Sequence, residues 1–393
     1  MVAGPETELL LCCARTSVHP EQAARLQARG LEKIKWDRLF RIALKHGVMP
    51  LVCRRLPSVC SEALPADVLA RAEDYFRANV RRNLSLTAHL LALVNLLESN
   101  GICAVPYKGP VLAASVYGDL ALRQFSDLDV FVHKSDVQKA KQLMVSAGYE
   151  WHGPVTAAQE APYLESQCEY HFSRDGGRVH VELQWGFVPW CYSLPWDIER
   201  LWTRLVRVSL GQASVSTFSP EDLLAILCVH AAKHCWERLE WVCDVAGLLH
   251  ACPKLDCDGV LEEAQASGRW RMILLGLHLA SGLLGAAIPE KAAEAIRKDR
   301  AVGRLSAWVV SRLFREDSGG AVRRSAFDDF LFRVRARERL GDRFRHGFRR
   351  AFATTPDDWA VLPLPASLFW LYGLLRPIRL AGRYARSLLR GRR

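Results

Sequence analysis

Within LRQFSDLDVFV, residues 122–132, two aspartates stand one residue apart in a run that otherwise reads as a strand. Asp127 and Asp129 are at i and i+2, so on a strand their carboxylates leave one face while Leu128, Val130 and Val132 take the other. Two carboxylates that close repel each other and raise each other's pKa unless a cation sits between them. The pair is therefore suited to Mg²⁺, which prefers oxygen ligands and often brings a nucleotide's phosphates with it. Downstream, VHVEL offers Glu182 as a third carboxylate on a neighbouring strand, able to help hold one of two ions and to act as base toward an acceptor hydroxyl. Upstream, Lys108 and Gly109 end a short apolar segment where an ammonium and a side-chain-free backbone could meet phosphate, and Arg123 lies four residues before Asp127.

Asp-x-Asp on its own is common in solvated loops and helix caps. The full order of strand, Lys-Gly, helix, Arg, Asp-x-Asp strand and later strand acid is far more specific, and it defines the elements that must position the side chains. ICAVPYKG reads as a short strand ending in glycine, PVLAASVYGDL as an amphipathic helix and LDVFVH as a β-branched and aromatic strand. DVQKAKQLMVSAGYE reads as a helix capped by Ser135 and ended by Gly148, and YHFSRDGGRVHVELQWGF as a hairpin around Asp175, Gly176 and Gly177.

Helical patterns flank this unit. Leucine and alanine recur every three or four residues through residues 1–98, and Gly101 is a good stop. From Ser219, a capping serine, a proline at the first helical position and acids in the first turn open a second helical region reaching about residue 350. The expected fold class is α+β: a small mixed sheet over 99–215, helical regions over 1–98 and 216–350, and a basic amphipathic tail over 351–393.

Half of the 393 residues are apolar, enough for a large core, and the formal charge of +11 is concentrated near the end. Arg376 to Arg393 holds seven arginines and no acid, and Arg323 to Arg350 holds ten arginines against four acids. The twelve cysteines are scattered without a C-x-x-C pair and no secretory signal opens the chain, so reduced thiols in a cytoplasmic protein are expected. The longest apolar run, Val361 to Leu375, is 15 residues with two prolines, short of the ~18 needed to span a bilayer.

The stretch YKGPVLAASVYGDLALRQFSDLDVFV resembles the polymerase β-like nucleotidyltransferase superfamily, and more narrowly an uncharacterised bacterial group of nucleotidyltransferase family proteins. The likeness extends over roughly residues 30–290. It implies metal-dependent transfer of a nucleoside monophosphate from an NTP to an acceptor hydroxyl, with two Mg²⁺ ions on Asp127, Asp129 and Glu182. Lys108, Gly109 and Arg123 fall on its nucleotide-side positions. Three departures stand out: the superfamily's Gly-Ser is Gly109-Pro110 here, which removes a hydroxyl and an N–H from the phosphate turn, the third carboxylate is Glu182 where aspartate is commoner, and Gln184 stands where related sequences often carry histidine. A small-molecule acceptor is the leading expectation. A catalytically weak binding or scaffold protein, and a toxin-like enzyme acting on tRNA or protein, are the alternatives.

His230 and His234 share a helical face, but HAAKH lacks the glutamate of H-E-x-x-H and no third ligand follows at a familiar spacing. Packing or hydrogen bonding near the cleft is the stronger reading, as a core role is for Trp236, Trp241 and Asp244. The tail LFWLYGLLRPIRLAGRYARSLLRGRR reads as two short amphipathic helices broken at Pro377, which could pack on the protein, rest on the inner membrane surface or contact RNA.

Overall fold

A computed structural model of the protein describes residues 4–15, 34–60, 64–153, 156–315, 326–362, 364 and 368–390. Residues 16–33 of the expected N-terminal helical region, Arg323 and Arg324 of the basic stretch, and Arg392 and Arg393 of the tail lie outside the described residues.

Helices α1 (Pro5–Ala14), α2 (Trp36–Lys45), α3 (Met49–Val59) and the 33-residue α4 (Ala66–Glu98) precede the sheet. The sheet has the order β1-β2-β5-β4-β3. β1 (Val105–Pro106) runs antiparallel to β2 (Asp127–Phe131), which runs parallel to β5 (Val179–Gln184). β4 (Glu169–Arg174) is antiparallel to both β5 and the short β3 (Glu150–Trp151). The β4–β5 hairpin turns at Asp175, Gly176 and Gly177, all with positive φ, as a tight turn between right-twisted strands requires. Helices α5 (Pro110–Ser115), α6 (Val137–Ser146) and α7 (Ala157–Ser166) connect these strands.

Beyond β5, α8 (Ile198–Thr203) leads to the hairpin β6 (Val206–Leu210) and β7 (Ala213–Thr217), which packs on α5 and β1. The C-terminal helices are α9 (Pro220–Lys233), α10 (Leu239–Ala251), α11 (Cys257–Ser267), α12 (Trp270–Leu284), α13 (Glu290–Lys298) and α14 (Arg300–Leu313). They are followed by α15 (Ala326–Arg335), α16 (Leu340–Phe352), α17 (Pro356–Val361) and α18 (Leu371–Arg390). The architecture is α+β. Ser219 caps α9 by accepting the Asp222 N–H at 3.2 Å.

Three local expectations are corrected. The helix after Gly109 stops at Ser115 and does not reach Leu120. α6 starts at Val137, because the Asp136 N–H bonds the His133 carbonyl (2.9 Å) and closes a 3₁₀ turn over Lys134–Asp136, so Ser135 is not its cap. α18 runs through Pro377 without a break. Arg376 before the proline and Arg379 after it both pair with Asp358 of α17, and these outside contacts hold the two turns in line.

The sheet lies between two apolar layers. Leu128, Val130, Val181 and Leu183 pack with Leu86 and Leu90 of α4 and Met144 of α6. On the other side Val105 and Phe131 join Phe187, Phe218 and the C-terminal helices, with Phe131 stacked on Phe187 at 4.9 Å. Each such fully buried side chain contributes about 1.5–3 kcal/mol. All twelve cysteines are free. Among the described residues no helix is long and apolar enough to cross a membrane.

Candidate active site

The β2–β5 register sets Asp129 directly opposite Glu182 and Asp127 opposite His180, so the acids share one sheet face. The hairpin register adds His171 opposite Glu182, and Glu169 opposite Gln184. The Gln184 amide nitrogen ties the acids together: it donates to Asp129 Oδ1 at 3.0 Å and to Glu182 Oε2 at 2.9 Å, and lies 3.4 Å from Glu169 Oε2. Its carbonyl oxygen accepts the Tyr107 hydroxyl. His171 stands between Glu182 (3.7 Å) and Glu169 (3.8 Å).

Lys108 enters from the end of β1, and its ammonium donates to Asp129 Oδ1 at 2.8 Å. Burial pulls its pKa down, but Asp129, Tyr107 and Glu182 outweigh that and hold the ammonium charged. Gly109 then turns the chain into α5 at φ 51° and ψ −121°, and a Cβ there would stand 3.4 Å from the Asp127 carbonyl oxygen. Only glycine takes this backbone without strain. Burial and Asp129 push the Asp127 carboxyl upward, with Lys108 and Arg123 opposing. Glu182, a quarter exposed, is pushed up to about 8 by burial, then by Asp129 and Glu169.

Arg123 is not brought into this carboxylate cluster. Its Nε and Nη2 each donate at 2.9 Å to the two oxygens of Asp244, which also accepts the Tyr117 hydroxyl at 2.8 Å. Asp244 is fully buried, so this bidentate pair joins the segment before β2 to α10. The same segment is held from behind by α4. Asn79 donates to the Ala121 carbonyl at 2.9 Å, and Asn83 to those of Leu120 and Arg123 at 2.7 and 2.8 Å. Sequence reasoning passed over these two asparagines, although polar residues four apart on an apolar helix face invite the question of what they bond.

α9 forms the opposite wall. Lys233 Nζ lies 3.9 Å from Glu169 Oε1, and His230 packs on His234 (4.8 Å) and edge-on to Trp241 (5.4 Å). Burial and the charge of Lys108 push the His230 pKa well below the imidazole range, so it stays neutral. Glu169, His171 and Lys233 were missed from the sequence. The first two were within reach, because counting back from Asp175-Gly176-Gly177 pairs them with Gln184 and Glu182.

Among the described residues no three His, Cys, Asp or Glu side chains form a group that could hold a metal ion as they stand. Asp129 is held instead by the Lys108 ammonium and the Gln184 amide. The donors nonetheless suit a hard divalent cation: they are carboxylate oxygens, two of them are driven toward protonation by burial and then by neighbouring carboxylates, and an ammonium already occupies the position of a neutralising charge. Such a face could bind a polyphosphate with its cation and take a proton from a hydroxyl. None of the curated proteins compared with the chain matches it significantly. Residues 32–285, which hold the whole carboxylate cluster and its α9 and α10 walls, match the family described as an uncharacterised nucleotidyltransferase, and the chain belongs to that family.

Proposed function

We propose that the protein transfers a nucleoside monophosphate from an NTP to a hydroxyl of a small-molecule acceptor in a Mg²⁺-dependent reaction. The observation that supports this best is the convergence of Asp127, Asp129 and Glu182 from two parallel strands beside the Lys108-Gly109 turn. Asp127, Asp129 and Glu182 would hold Mg²⁺, which supplies Lewis acidity toward the phosphates. Lys108 exchanges Asp129 for a phosphate oxygen when the triphosphate enters. Gly109 leaves room for that approach, while Pro110, lacking an N–H, donates nothing to it. The acceptor oxygen bonds to the α-phosphorus, the bond to the pyrophosphate oxygen breaks, and the hydroxyl proton passes to Glu182. Arg123 acts indirectly, holding the β2 entrance against α10 through Asp244.

Incubating the protein with each labelled NTP and Mg²⁺ in a cell extract tests the acceptor class. Label is expected in the small-molecule fraction with pyrophosphate released. Label in RNA or protein alone would replace the acceptor, and no label from any NTP would favour a second reading, a non-catalytic nucleotide-binding or scaffold protein. The observation on that side is Asp129's engagement by Lys108 and Gln184.

A further inference from the structure

We propose that α16 and α18 form a docking face for an anionic lipid surface. Along α16, Phe344, Phe348 and Phe352 recur every fourth residue, with ring centroids 6.3 and 4.6 Å apart. Phe344 is 75 % exposed, and Leu340 one turn earlier is 76 % exposed. The start of α18 crosses the end of this helix: a Cβ on Gly373 would stand 3.9 Å from the Phe352 carbonyl oxygen, and Arg376 Nε donates to the Arg350 carbonyl at 3.2 Å. Leu374 and Ile378 on α18, which packs along α16, and Trp370 just before it are exposed as well.

Charge selects what covers this face. From Arg339 to Arg393 the sequence carries twelve arginines against three aspartates; among the described side chains Arg376 is buried against Asp358, whereas Arg345 is more than half exposed and Arg349 lies over the half-exposed Trp190 ring at 4.1 Å. An aromatic and aliphatic strip with an arginine border matches the boundary between acyl chains and anionic headgroups. Self-pairing would press like-charged borders together. A nucleic acid would meet the arginines but give Leu340, Leu374 and Ile378 nothing apolar to enter. No helix here spans a bilayer among the described residues, so the attachment is in-plane and reversible.

Flotation of the full chain with vesicles tests this. Binding is expected to equimolar phosphatidylglycerol and phosphatidylcholine, to weaken with salt, and to be slight on phosphatidylcholine alone. The Phe344→Ser/Phe348→Ser variant should bind about tenfold more weakly or worse, with an unchanged melting curve because both side chains are exposed. Failure of the native chain to bind anionic vesicles overturns the proposal. So does equal binding by the variant, or a solution dimer that Phe348→Ser dissociates while vesicles go unbound.

Discussion

Asp244→Asn tests whether Arg123 is held as one half of a buried charge pair. Asp244 is fully buried and Arg123 is 7 % exposed, and two bonds of 2.9 Å join them. Asparagine keeps the volume and removes the charge. The guanidinium cannot escape by deprotonating, so it stays charged in a poorly solvated site. Two unit charges ~4 Å apart attract by about 4 kcal/mol at an effective dielectric of ~20, and removing one partner of such pairs costs about 3–5 kcal/mol. Urea unfolding should show a midpoint lowered by that cost divided by the slope, with the slope itself unchanged. Arg123→Met/Asp244→Leu, which removes both charges, should recover most of the loss. A cost for Asp244→Asn below about 1 kcal/mol, or a double variant as unstable as the sum of the single changes, would refute the reasoning.

Asn83→Leu should leave the Leu120 and Arg123 carbonyls without their donor and cost about 1–3 kcal/mol; an unshifted urea midpoint contradicts this. Gly109→Ala forces a side chain onto φ 51° and should cost about 1–3 kcal/mol, together with weaker NTP-dependent thermal stabilisation. Glu240 gives a pH dependence. Burial, opposed by Arg123 and Arg238 and assisted by Asp244, pushes its carboxyl up to about 7. The folded pKa lies above the unfolded value of about 4.3, so its contribution to stability is fully present below that value and is lost as pH rises to about 7. Glu240→Gln should flatten that part of the stability profile, worth roughly 4 kcal/mol at most, and an identical profile for the variant counts against the assignment.

The carboxylate face was legible because strand geometry is local. Alternation fixed which side of β2 carries Asp127 and Asp129, and VHVEL announced Glu182 in the same way. The Asp-Gly-Gly turn was legible too and sets the β4–β5 register, yet the partners of Glu182 that counting back from it would have supplied were missed. VRVSLGQASVST carried an equally plain alternation around Gly211, yet the β6–β7 hairpin was not anticipated. What stayed hidden depends on distant chain segments. Arg123 four residues before Asp127 looks like a phosphate ligand, and only the packing of α10 against the segment before β2 makes it the partner of Asp244. Asn79 and Asn83 look like breaks in an apolar stripe until the loop they hold is in place. Pro377 predicts a break by local sterics, and contacts to Asp358 override it.

The carboxylate cluster as a metal-dependent nucleotide site is most directly tested by thermal unfolding with each of the four NTPs, with and without Mg²⁺, in the native chain and in Asp127→Asn and Asp129→Asn. A nucleotide at about 100 times its Kd should stabilise the native chain by about 2.7 kcal/mol, only when Mg²⁺ is present, and neither variant should respond although both remain folded. A native chain indifferent to every NTP, or variants stabilised as strongly as the native chain, would contradict the assignment of these carboxylates.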